Sequence, residues 1–404
     1  MKKKLLTMLC IILTISLVGC SKSATSNTNV KNVLDSSYEE ILESAKGSTV
    51  SFYGYGGNEV MNKWFDSYII PEMKKRYDIT VKRVGMNIDE ILNQLLSEKQ
   101  ANNAKGVIDV VWINGENFKT AKENELLLGA FVDKLPNFEK YVDITSEDVI
   151  TDFGTDVDKM EAPWGKAQFA LVANKSKVTT EIKNAEELKD FVKANPGKFT
   201  YPALPDFTAS AFVRNIIYDI VGYENVKDLP EDEVKVKEAI QPAIDYLNEI
   251  KPYLWNKGTT YPATISQLDN MYSDNEVYFT MTYAPNELLG RIDNGEFSKD
   301  TVALEFDKGN ISNTHFLTIP KNSQNQAGAM VLIDFLMSID AQGAKTDTKN
   351  WGDTTVLDMD KVPSEEKSKF SETVTIEKSV PELKAGLVPI IEKIWTREVL
   401  ESEK

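Results

Sequence analysis

Apolar positions along the chain alternate between two spacings, and the alternation sets the fold class. Val107, Ile108, Val110 and Val111 form a β-branched run, the pattern of a strand covered on both faces. The stretch TVSFYGYGGN, residues 49–58, reads as an earlier strand ending in a glycine loop. Between the two, the spacing changes to that of helices. Asn58 can cap one whose buried face is Val60, Met61, Trp64, Phe65 and Tyr68. Asn87 with Glu90 makes a capping pair before Ile88, Ile91, Leu92, Leu95 and Leu96. The predicted order is strand, helix, strand, helix, strand, which is the signature of an α/β protein.

The pattern then restarts. QFALVANKS, residues 168–176, reads as a buried strand, and Asn184 with Glu187 caps a helix carrying Leu188, Phe191 and Val192. A further helix is expected from Ala211 to Val221, stopped by Gly222, and a strand at VYFTMTY, residues 277–283. HFLTIP, residues 315–320, reads as a crossing back to the first unit, followed by a helix from Ala327 to Met337. The expected organisation is a first lobe of residues 47–170 plus 315–340, a second lobe of 171–314, and a helical carboxyl-terminal region, 341–404. An apolar stripe through Leu387, Ile390, Ile391, Ile394 and Trp395 marks that last region.

The amino terminus changes the picture of where the chain works. Lys2, Lys3 and Lys4 precede an apolar run from Leu5 to Gly19, shorter than the roughly 20 residues of a spanning helix and laid out as an export signal. It ends in LVGC, which resembles a bacterial lipobox with Cys20 as the lipid-bearing first mature residue. Residues 1–19 are therefore expected to be a leader and 20–46 a flexible tether. The expected location is the outer face of the cell membrane, held by lipid. Cys10 lies in the leader, so the mature chain keeps one of the two cysteines and no internal disulfide. The formal charge of −16 becomes more negative once the three leader lysines are gone. So acidic a chain argues against nucleic acid and suits cationic cargo.

Inventory removes several chemistries. The single histidine, His315, excludes two-histidine zinc motifs, and neither GxSxG nor GxxxxGK[ST] occurs. No cofactor or metal motif is present; the near-calcium pattern DVDKMEAPWG, residues 156–165, lacks EF-hand spacing. Close carboxylate pairs are unavoidable among 62 acidic residues, so a glycosidase reading stays open but gains nothing from them. What stands out instead is aromatic and amide residues at strand ends. Tyr55 and Asn58 follow the first strand; Trp112, Asn114 and Glu116 follow the third; Trp164 and Gln168 sit in APWGKAQ. Phe207, Thr208 and Ser210 stand in PDFTASAF, and Tyr283, Asn286 and Glu287 in TYAPNE. These thirteen residues are the candidate ligand contacts, for aromatic plates with a few polar groups are what small-solute clefts are made of.

At the same segments the chain resembles the YnjB-like extracellular solute-binding proteins of ABC importers. The stretches that carry the resemblance are DVVWINGENF, EAPWGKAQF, NPGKFTYPALPDFTASAFVR, DNEVYFTMTYAPNE, THFLTIP and WGDTTVLD, in order across about residues 50–358. The resemblance implies a type II periplasmic-binding fold, two α/β lobes joined by hinge strands that close on a ligand, and a membrane permease as partner. It implies no catalysis, and a monomer is expected. Thiamine or a related cationic aromatic compound leads as cargo; polyamine and ferric iron follow. A surface carbohydrate hydrolase and a sensory receptor lipoprotein are the readings from other classes.

Overall fold

The computed structural model describes residues 32–371 and 376–402. The leader, Cys20 and the tether as far as residue 31 lie outside these. Two sheets organise the fold. The first contains β1 (Thr49–Gly54), β2 (Thr80–Gly85) and β3 (Val110–Ile113) in parallel, with Val50 beside Val81 and Phe52 beside Val110. A short hairpin, β4 (Thr151–Asp152) and β5 (Thr155–Asp156), leads to β6 (Glu161–Gln168). The chain then passes directly into β7 (Ala170–Asn174), the middle strand of a second sheet completed by β8 (Phe279–Thr282) and β9 (Thr301–Leu304). β10 (Asn310–Thr318) returns to the first sheet, antiparallel to both β3 and β6. The two lobes are thus joined by adjacent crossing strands, the arrangement of a hinge.

Each sheet has its own core. Val50, Phe52, Phe65, Val110, Leu317 and Ile333 belong to one; Leu171, Phe199, Phe212, Phe279, Ile394 and Trp395 to the other. All of β7 is buried, which is why its sequence is an unbroken apolar run.

Two expected boundaries are corrected. The tether ends before residue 38, because Tyr38–Ala45 form a helix closed by a Ser37–Glu40 capping box. Ile41 and Ala45 are buried in the first core, and the Tyr38 hydroxyl donates to Asp334 at 2.8 Å. The carboxyl-terminal region is not a helical unit of its own. Beyond the helix Ile339–Thr346 the described chain runs in turns and one 3₁₀ segment to β11 (Ser379–Pro381), which pairs in parallel with β10 at Asn310–Ser312. The helix Val388–Trp395 then packs into the second core, and Trp395 Nε1 donates to the Tyr201 hydroxyl at 3.1 Å. The apolar stripe was real, but its partner is the second lobe. No single helix among the described residues is long and apolar enough to cross a membrane.

Candidate functional site

The hinge strand β10 provides the floor. Leu317 lies opposite Trp112 on β3, and His315 opposite Gly165 on β6. Because side chains alternate along a strand, Asn313, His315 and Leu317 share one face with Trp112 and Gly165. The Trp112 ring lies 5.0 Å from His315, 5.2 Å from Trp164 and 5.6 Å from Trp351, so four rings close one end of this face. Gly165 is what admits the acid behind them: a Cβ there would stand 2.0 Å from Asp353 Oδ2. That oxygen accepts from Lys345 at 2.7 Å, while Asp353 Oδ1, 3.7 Å from His315 Nε2, has no hydrogen bond. Burial pushes His315 down to about 4, so the ring is neutral at ordinary pH.

The second lobe brings a carboxylate to the same end. Glu287 opens the helix Glu287–Asp293 after β8. Its Oε1 accepts from Trp351 Nε1 at 2.6 Å and, across the lobe boundary, from Asn58 Nδ2 at 2.7 Å. The other half of the Asn58 amide accepts from Met61 N, so the cap of one lobe's helix is also a link to the other lobe. Burial pushes Glu287 up to about 8 against the opposing pull of Arg291. Tyr55 stands at the rim, 43% exposed, with its hydroxyl 3.4 Å from Ser266 of the second lobe.

The far end is a buried polar network. Gly115, at φ 64, turns the chain sharply out of β3, and its N–H donates to Asp152 at 2.5 Å. That turn presents Glu116. Its Oε1 accepts from Asn117 at 3.2 Å, its Oε2 is buried without a partner, and burial pushes the group up to about 7 despite Arg214 nearby. Arg214 grips Glu382 with two bonds of 2.9 and 3.0 Å and donates to Ser210 Oγ at 2.6 Å; Ser210 in turn donates to Glu392 at 2.7 Å. Tyr283 and Asn313 also donate to Glu382, at 3.2 and 3.3 Å. Phe207 packs on Tyr283 with ring centroids 5.1 Å apart.

The structure brings most of the thirteen candidates to this seam. Asn58, Trp112, Asn114, Glu116, Phe207, Tyr283 and Glu287 are each half-buried and keep part of their surface accessible. Others take supporting places. Trp164 is fully buried behind Trp112, Ser210 belongs to the Arg214 network, and Thr208 and Asn286 are buried at helix starts. The Gln168 side chain turns away, donating to Ile376 O and Ser379 Oγ, and so fastens β11 rather than facing the seam. Sequence reasoning missed Trp351 and Asp353, although WGD, an aromatic and an acid flanking a glycine, was a usable signal. It also missed Arg214, Asn313 and Glu382, for which the sequence carries no local sign.

Two lobes joined by adjacent crossing strands form the fold of periplasmic solute-binding proteins. The chain belongs to the bacterial extracellular solute-binding protein family, whose model matches residues 69–359. It is 33% identical to Protein YnjB of Escherichia coli over 365 residues, 89% of this chain and 93% of that one. Solved structures share the fold at lower identity. An ABC transporter protein of Clostridium perfringens matches with TM-score 0.59 at 17% identity over 86% of this chain and 98% of its own. The periplasmic binding protein AfuA of Actinobacillus pleuropneumoniae, solved with fructose-6-phosphate, matches with TM-score 0.60 at 13% identity over 88% and 99%. The ferric binding protein of Campylobacter jejuni matches with TM-score 0.59 at 15% identity over 87% and 98%.

Proposed function

We propose that this protein captures a small organic cation between its lobes and delivers it to an ABC permease, tethered by lipid at Cys20 and acting as a monomer. Thiamine is the leading cargo and a polyamine the second. The observation that carries the reading is the pair Glu116 and Glu287, carboxylates set into the interlobe seam among aromatic faces, with one Glu116 oxygen left without a donor. A cation over Trp112 or Tyr283 would gain about 0.5–2 kcal/mol from the ring and meet a carboxylate at either end. A bound cation would draw the protons off both groups, which burial holds up to about 7 and about 8 without ligand; an anion would leave them neutral and gain no charge partner. Nothing in this scheme breaks a bond; ligand stabilises the closed lobes through its higher affinity for them.

The test is a melting-temperature panel on residues 21–404, freed of carried-over ligand by unfolding and refolding. Thiamine, its phosphates, hydroxymethylpyrimidine, spermidine, putrescine and ferric iron are the arms. A ligand at 100 times its Kd stabilises by about 2.7 kcal/mol, readily visible in a melting curve. A shift with thiamine or a polyamine is expected. A shift with ferric iron alone, or with no compound, overturns the organic-cation reading.

A further inference from the structure

The hairpin β4–β5 ends in a residue that its turn does not favour. Phe153 and Gly154 form a two-residue loop with both backbones left-handed, at φ 44 and 67, a pattern that glycine, asparagine and aspartate adopt most readily. A bulky aromatic in that conformation is strained. Its ring is buried all the same, only 5% exposed, although a hairpin tip ordinarily meets solvent. Strain of this kind persists where the surroundings hold it in place.

What holds it belongs to both lobes. On the first-lobe side the Gly115 N–H bond to Asp152 anchors the hairpin, and the Phe153 ring backs on Gly115, where a Cβ would stand 3.2 Å from it. On the second-lobe side the ring shares an apolar cluster with Ala385, Val388 and Phe207, and lies 5.8 Å from the Arg214 guanidinium. The Ala385 N–H donates to the Phe153 carbonyl at 2.8 Å. Gly154 lets the neighbouring backbone come close, for a Cβ there would stand 3.3 Å from Lys384 Cγ. Phe207 and Val388 each open a helix that packs into the second core, so the socket moves with that lobe.

We propose that the β4–β5 hairpin is a closure latch: Phe153, carried by the first lobe, seats in a second-lobe socket of Phe207, Ala385 and Val388 and biases the ligand-free lobes toward closure. The strained loop is kept because none of the residues this turn favours carries a ring. Opening withdraws the ring and uncovers the socket, so the latch sets how often the empty seam is presented to a solute. It acts on closure and is independent of which solute the seam takes.

Thiol protection tests the latch without ligand. The chain from residue 21 keeps every described element and has no cysteine of its own. In it V388C places a thiol in the socket, V132C and V236C place one in each core, and D274C places one on the surface. Each is alkylated with iodoacetamide and followed by mass spectrometry. V388C is expected to react far more slowly than D274C. F153N removes the ring but supplies a side chain that the turn favours, so it should speed V388C alkylation about tenfold while V132C and V236C stay protected. V388C reacting as fast as D274C, or unaffected by F153N, overturns the latch. Faster alkylation of V132C or V236C in F153N would assign Phe153 to the stability of the fold and overturn it as well. None of these outcomes bears on the cargo, which the melting panel tests separately.

Discussion

The Arg214–Glu382 pair offers the sharpest test of how the carboxyl-terminal segment holds the second lobe. Both side chains are almost wholly buried, 1% and 2% exposed, and Glu382 accepts two bonds from the guanidinium. Glu382 follows β11, so the pair ties that segment to the helix Phe207–Ile220. Changing Glu382 to Gln keeps the volume but leaves Arg214 charged in the interior. Removing one member of a buried pair costs about 3–5 kcal/mol. Glu392 offers little relief, since it reaches the guanidinium only through Ser210. With a urea slope of about 2–3 kcal/mol per molar, the unfolding midpoint should fall by about 1–2.5 M. The double variant R214M/E382L removes both charges and should recover most of the loss, because apolar replacement of a buried pair is often neutral. Urea unfolding followed by tryptophan fluorescence and circular dichroism gives the cycle. An E382Q midpoint within about 0.2 M of the parent, the size of an ordinary surface change, would refute the argument.

Three further outcomes are expected. Raising pH from 6.5 to 8.5 should lower the melting temperature of the ligand-free protein, because Glu116 and Glu287, ordinarily near 4.5, hold protons in the folded state up to about 7 and about 8. Folding then binds protons that the unfolded chain releases, and the stability they give is lost as pH climbs through those values. His315, pushed down to about 4 from 6.5, contributes in the opposite direction but only below pH 6.5; E287Q should flatten the profile, and a parent that gains stability across this range would contradict it. Trp112→Ala should weaken cation binding about tenfold, as should Tyr283→Phe to a smaller degree through loss of its bond to Glu382; unchanged affinity in both, by calorimetry, would remove these residues from the site. Cys20→Ser should move the protein from the membrane fraction to the medium or periplasm, and an unchanged fractionation would end the lipid-anchor proposal.

Local pattern made the strand-and-helix order readable, because a fully buried strand such as β7 leaves an unbroken apolar run and a capped helix leaves its Asn–x–x–Glu. The candidate contacts are legible for a related reason: Trp112, Asn114, Glu116, Tyr283 and Glu287 stand at the ends of strands where turn residues and aromatic plates occur together. What was hidden depends on distant pairing. Asp353 sits behind Trp112 only because Gly165 lacks a side chain, and these positions are 188 residues apart. Gln168 looked like Trp164's neighbour in a binding motif, yet it bonds Ile376 and Ser379, a choice fixed by β11 docking on β10. The helix at Tyr38 was absorbed into the tether because its signals, one capping box and two buried residues, are short; its stability comes from packing on the helix Gln326–Leu336.

The seam itself explains why a ligand can control closure. The direct hydrogen bonds across it include Asn58 to Glu287 at 2.7 Å, Trp351 to Glu287 at 2.6 Å, the Ala385 N–H to the Phe153 carbonyl at 2.8 Å, Lys119 to Glu231 at 2.7 Å and Tyr55 to Ser266 at 3.4 Å, with one apolar contact between Phe153 and Phe207. The Lys119–Glu231 side chains are 25% and 50% exposed, and such pairs contribute about 0–1 kcal/mol. Driving a two-state hinge from 1:99 to 99:1 takes about 5.5 kcal/mol of differential binding. A seam that supplied that much by itself would stay shut and capture nothing. One that supplies a fraction leaves the rest to the bonds a cation would make with Glu116 and Glu287, so that cargo recognition and closure become a single equilibrium.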